Sequence, residues 1–128
     1  MNVRLVDLAH ARSGDKGDTA NVGVIALQRE WYPLLERYLT RERVAAHFRG
    51  MIDGPVDRYE LPNLGALNFL LHGALDGGGT LSLKTDAQGK VFSTAMLRLT
   101  LDIPDDEAKA AHVPGSRRWR TYSRSPKE

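Results

Sequence analysis

A dense polar stretch with three glycines, His10 to Gly23, interrupts what would otherwise be one long apolar run near the start of the chain. On one side lie Val3, Leu5, Val6, Leu8 and Ala9; on the other lie Val24, Ile25 and Leu27. Two apolar runs separated by glycines and short polar residues demand a chain reversal, because Gly and Asp supply turn geometry while the flanking runs need a shared core. The spacing predicts strands over Val3 to Arg12 and Asn21 to Leu27, joined by a glycine loop.

That loop is also the densest chemistry in the chain. Gly14 and Gly17 allow positive φ and a close backbone approach. Successive N–H groups from Ser13 to Asp18 can form a concavity for an anion, with Lys16 as a mobile point charge and Arg12 or His10 as a second contact. The same residues also suit a plain surface turn. Nucleotide motifs are absent: Lys16 is followed by Gly17, Asp18 and Thr19, where a phosphate loop needs Lys-Ser/Thr, and no G-x-G-x-x-G follows a strand.

Further on, Trp31 to Phe48 reads as a helix in two pieces, with Thr40 capping the second. Val56 to Leu61 reads as a short strand. Leu64 to Leu75 carries Leu64, Leu67, Leu71 and Leu75 at helical spacing, which predicts a helix with Asn68 and His72 on its inward side and Asn68 facing the glycine loop. Asp76 to Gly79 reads as a connection. Leu81 to Thr85 and Val91 to Ile103 read as a hairpin around Asp86 to Gly89, with Thr94, Met96, Arg98 and Thr100 on the wet face of the last strand. Two helices and about five mostly antiparallel strands make an α+β two-layer sandwich with the helices on one sheet face.

Composition removes several functions. With 128 residues and no cysteine, the chain is one domain without disulfides or thiolate chemistry, which fits a cytoplasmic protein. No run approaches the ~18 apolar residues of a membrane span. The four histidines, His10, His47, His72 and His112, are dispersed, which speaks against a metal centre, and no cofactor is expected. Residues 116–128 hold five cations against Glu128, a net +4, so that within a total of +2 the rest of the chain carries −2. A nucleic-acid reading rests on that tail alone, where Arg117, Arg118, Trp119, Arg120 and Tyr122 interleave cations with aromatics.

The run Ala9-His10-Ala11-Arg12-Ser13-Gly14-Asp15-Lys16-Gly17-Asp18, with Asn21 and Gly23, resembles the opening of the small ferredoxin-like domain of the acyclic terpene utilisation (AtuA-like) family. Arg58-Tyr59-Glu60-Leu61-Pro62-Asn63, Leu67-Asn68-Phe69 and the Asp86 to Lys90 turn agree with it. The resemblance implies a ferredoxin-like fold over residues 3–104, followed by a basic, extended or partner-docking tail over 105–128. It also implies a context of acyclic terpenoid or branched acyl-thioester breakdown, with a second copy or a larger AtuA-like subunit as partner.

The expected function is then an accessory subunit that binds a carboxylate or acyl-CoA through Arg12, Ser13, Gly14, Lys16, Gly17, Asn21 and Asn68. The alternative is a small oligomeric hydratase or isomerase using His10 or Asp15 as base and Lys16 as oxyanion partner.

Overall fold

In a computed structural model, which describes residues 1–74 and 85–113 and only the backbone at 15–16 and 85–90, the predicted chain reversal is a two-residue hairpin turn. Strands β2 (Ala9–Lys16) and β3 (Thr19–Ala26) pair antiparallel from Ala9↔Ala26 to Lys16↔Thr19. Gly17, at φ 64°, takes the first central position, where a type II′ turn requires positive φ. Most of the expected loop is therefore edge strand. Gly14 keeps negative φ, and Ser13 to Lys16 belong to the ladder, whose N–H groups point alternately toward and away from β3 and cannot converge on one anion.

The expected single strand over Val3 to Arg12 is split. β1 (Asn2–Arg4) is followed by a 3-10 turn, Leu5–Asp7, closed by Leu8 N–H on the Leu5 carbonyl and braced by Arg4 Nε on Asp7 Oδ2 at 3.2 Å. Simple alternation cannot bury both Leu5 and Leu8; the turn rotates the chain so that Val3, Leu5 and Leu8 all enter the core. β1 pairs instead with β6 (Thr100–Asp102) as a separate two-stranded sheet.

The two-piece helix is present as α1 (Tyr32–Tyr38) and α2 (Arg41–His47). The Thr40 hydroxyl accepts from Arg43 N–H at 3.1 Å, the predicted cap. β4 (Val56–Leu61) is also where the sequence placed it. The helix expected over Leu64 to Leu75 is instead β5 (Ala66–His72). Leu67, Phe69 and Leu71 are fully buried while Asn68, Leu70 and His72 are half-exposed, a period of two that a nearly continuous apolar run conceals. Gly65 at φ 62° and Gly73 at φ 68° bound it, left-handed positions that end regular structure at both sides.

Thr85–Leu97 is a helix, α3, so the expected Asp86 to Gly89 turn falls inside it. Phe92, Met96 and Leu99 are buried at spacings of four and three; Met96, expected on a wet strand face, is 0% exposed. Only Thr100–Asp102 remains strand. The Leu81 to Lys84 part of the expected hairpin and the Asp76 to Gly79 connection lie outside the described residues. After Pro104, the acidic run Asp105, Asp106 and Glu107 starts α4 (Asp105–Ala110), carboxylates at a helix N-terminus being favourable. Ala108 and Val113 join the core and Trp31 Nε1 donates to the Ala111 carbonyl at 2.7 Å, so packing continues to Val113 where the sequence placed the boundary at 104. The basic segment from 114 onward lies outside the described residues.

The main sheet has the order β2-β3-β5-β4, antiparallel throughout. Ala20, Val22, Val24, Leu67, Phe69, Leu71 and Val56 line its buried face, in one core with Leu35, Leu39, Val44 and Phe48 from the α1–α2 region and Phe92 and Met96 from α3. This is the α+β two-layer architecture expected, with six strands and four helices among the described residues.

Tyr32 is buried in that core, and among the described residues its hydroxyl has no hydrogen-bond partner. Burial also raises its pKa above the ordinary value of 10.0, with the Glu36 charge adding to the effect. A group with a raised folded-state pKa contributes stability that is present below the unfolded pKa and lost as pH rises through the folded one. Urea unfolding of Tyr32→Phe is expected to show stability at pH 7 unchanged or higher by up to about 1 kcal/mol. Above pH 10 the variant should lose less stability than the wild type.

Candidate functional site

The register that buries one face of the sheet collects polar residues on the other. Arg12 pairs with Gly23, Gly23 with Asn68 and Asn68 with Tyr59, making one row across all four strands. The row on one side is His10, Ile25, Ala66 and Leu61; on the other side it is Gly14, Asn21, Leu70 and Asp57. His10, Arg12, Asn21 and Tyr59 are exposed, and Asn68 is half-exposed.

Of the residues singled out from sequence, His10, Arg12, Gly14, Asn21 and Asn68 therefore share this face. Ser13 does not: it pairs with the buried Val22 and is half-buried on the helix side. Asp15 takes the register position opposite Ala20 and Lys16 that opposite Thr19, while Gly17 sits at the hairpin tip. Asn68 and His72 were expected on the inward side of a helix with Leu67 and Leu71; on a strand they take the opposite face from those leucines, and Asn68 stands opposite Gly23 by register.

Gly23 shapes the centre of the face. Arg12 and Asn68 stand on strands two apart, about 10 Å between backbones. The glycine between them leaves a notch floored by main chain, with the Asn68 Oδ1 at 3.6 Å from where a Cβ would stand. Among the described residues no carboxylate pairs with the Arg12 guanidinium, so this cation is available to an incoming anion.

At the hairpin end of the same face, three further side chains meet. His72 on β5 stands opposite Thr19 on β3, and Asp57 on β4 is its diagonal neighbour. His72 Nε2 lies 2.8 Å from Asp57 Oδ2, and His72 Nδ1 lies 3.5 Å from Thr19 Oγ1. The backbone there is clamped: His72 N–H donates to the Pro55 carbonyl at 3.0 Å and its carbonyl accepts from Gly54 N–H at 3.0 Å. Sequence reasoning noticed His72 but not Asp57 or Thr19. Read as a strand hairpin, the two segments around Pro62 to Gly65 would have set Asp57 beside Leu70, one diagonal step from His72.

No group of three or more His, Cys, Asp or Glu among the described residues could hold a metal ion. His47 Nε2 is used to donate to the Ala95 carbonyl at 2.7 Å. No described helix is long and apolar enough to cross a membrane.

A family model described as the AtuA ferredoxin-like domain matches residues 3–102. The chain belongs to the AtuA ferredoxin-like domain family. No curated protein and no solved structure matches it. The match begins in β1 at Val3 and ends in β6 at Asp102, on the two strands that pair to close the AtuA ferredoxin-like domain, and it contains every residue of the open face.

Two glycines of this AtuA-like domain should respond oppositely to alanine. A Cβ at Gly23 meets only ordinary contacts, so Gly23→Ala is expected to keep the fold and gain about 0.5 kcal/mol, since a strand interior disfavours glycine. A Cβ at Gly54 would lie 2.8 Å from the His72 carbonyl oxygen and 2.9 Å from its Cβ, so Gly54→Ala should cost upward of about 1 kcal/mol and displace His72. Thermal unfolding with the histidine NMR signals as a local probe measures both.

Proposed function

We propose that this AtuA ferredoxin-like chain is an accessory subunit in the breakdown of acyclic terpenoid or branched acyl thioesters, and that its open sheet face binds the anionic part of such a ligand. The observation that carries the reading is the Arg12–Gly23–Asn68 row. It joins a guanidinium with no carboxylate partner among the described residues, a notch without side chain and an amide that can both donate and accept. Guanidinium suits carboxylate and phosphate oxygens because its fork matches them in a bidentate pair. Asn21, one row away, adds an amide for a ligand as large as an acyl-CoA. Backbone amides of the hairpin are not the cradle in this reading; side chains on a paired strand are.

The face also suits an assembly. Tyr59 and Leu61 on the edge strand β4 and Leu64 beyond it are 49%, 39% and 67% exposed, an apolar margin against which a second copy or a larger AtuA-like subunit would close the site.

Calorimetric titration of a branched acyl-CoA tests the proposal. The wild type should give saturable heat, Arg12→Ala should weaken binding by about tenfold or more, as expected for loss of a charged hydrogen bond, and Gly23→Val should abolish it by filling the notch. Saturable binding that Arg12→Ala and Gly23→Val leave intact would place the ligand elsewhere, and no heat from the wild type ends the acyl-CoA reading.

A further inference from the structure

The Thr19, His72 and Asp57 cluster lies four residues along β3 from the Gly23 row, about 13 Å away at the strand rise, and the anion site makes no use of it. Its geometry has a direction. An ionised Asp57 only accepts, so the hydrogen bond at 2.8 Å puts the proton of a neutral His72 on Nε2. Nδ1 then carries the lone pair, and the group facing it at 3.5 Å is the Thr19 hydroxyl. A carboxylate fixing an imidazole tautomer, whose free nitrogen faces an alcohol, is the arrangement that activates a hydroxyl nucleophile.

Stability does not account for the arrangement. The His72 and Asp57 side chains are 34% and 42% exposed, and an exposed pair of this kind adds at most about 1 kcal/mol. Exposure does leave the cluster open to a ligand. The two clamping hydrogen bonds of the His72 backbone and the hairpin turn before Thr19 hold the two residues on rigid strands, as a reacting pair needs. Thr19 Oγ1 and His72 Nδ1 stand at the outer limit of a hydrogen bond, 3.5 Å, and catalytic contacts commonly tighten only with substrate bound.

We propose that Thr19, His72 and Asp57 form an acyl-transfer site that cleaves esters or thioesters. Thr19 Oγ1 attacks the carbonyl carbon and its proton passes to His72 Nδ1. Collapse of the tetrahedral adduct breaks the bond to the alcohol or thiol, which leaves with that proton and gives acyl-Thr19. Water then attacks the acyl carbon, giving its proton to His72; His72 returns a proton to Thr19 as the carboxylic acid departs. Asp57 stays ionised throughout, holding the imidazole.

The test uses p-nitrophenyl acetate, an uncharged ester, so its outcome does not depend on whether an anion binds at Arg12. Protein incubated with it is digested and its acetylated residues are mapped by mass spectrometry, while p-nitrophenolate release is followed by absorbance. Expected are acetyl-Thr19 in the wild type, release lost in Thr19→Ala and kept in Thr19→Ser, a fall of about 100-fold in His72→Gln and about tenfold or more in Asp57→Asn. The Thr19→Ala and Thr19→Ser pair decides the matter should His72→Gln fail to fold. Release that persists in Thr19→Ala, acetylation confined to lysines, or labelling of Thr19 undiminished in a folded His72→Gln overturns the proposal.

Discussion

The register of β3 on β5 governs everything else in this domain. Ala20 against Leu71, Val22 against Phe69 and Val24 against Leu67 are six residues with at most trace exposure, and each pair places its neighbours on the opposite face. A slip of one residue would expose Phe69 and turn Asn68 inward, at about 1.5–3 kcal/mol for each large apolar side chain brought into water. The apolar pairs thereby position the polar ones: Gly23 against Asn68 and Thr19 against His72 follow from the burial of Val22 and Phe69. The edge strands β2 and β4 inherit the same register, which brings Arg12 and Asp57 to the open face.

The helix layer is tied to the sheet by groups that finish helix ends. Arg58, on the core side of β4, donates from Nε to the Leu39 carbonyl at 3.1 Å and from Nη2 to the Glu36 carbonyl at 2.6 Å, meeting acceptors that the end of α1 leaves over. Its third contact, Nη1 on Glu60 Oε2 at 2.9 Å, keeps it aligned along β4. On the far side Glu107 of α4 accepts from the Tyr38 hydroxyl at 2.7 Å and from Arg37 Nη1 at 3.1 Å, so α4 is fastened to α1 by side chains as well as by Trp31. One arginine and one glutamate thus join elements distant in sequence, with the catalytic and binding candidates left outside both networks.

What could be read from sequence divides along a physical line. Local signals held: a reversal within the glycine stretch, the Thr40 cap, and the β4 segment ended by Pro62 are each fixed by a few neighbouring residues. The α+β layering and the family were also legible. Periodicity failed where apolar residues were too many to discriminate, as in Leu64 to Leu75, where Leu67 and Leu71 satisfy both periods and Phe69 decides. It failed again where Ala95, Leu97, Leu99, Leu101 and Ile103 alternate like a strand although Phe92 and Met96 carry the burial of a helix. The open face was half legible: Arg12, Asn21 and Asn68 stood out by chemistry, whereas Asp57 and Thr19 acquire their meaning only from pairing with β5.

An antiparallel sheet with one bare face must either wet that face or cover it, and this one is graded between the two. The Gly23–Asn68 and Thr19–His72 rows are polar; between them lies the mixed Asn21–Leu70 row, and beyond Gly23 the apolar Ile25–Ala66 row. A ligand using both polar rows would have to bridge about 13 Å along β3, which a short carboxylate cannot do and an acyl thioester with its long anionic carrier can. Such a ligand would lie over Leu70, whose half-exposed side chain offers apolar contact midway. The two proposals are thereby separable in experiment yet compatible in space. One row would select by charge, the other would act on the carbonyl, and their separation would set a minimum length for the molecule that serves both.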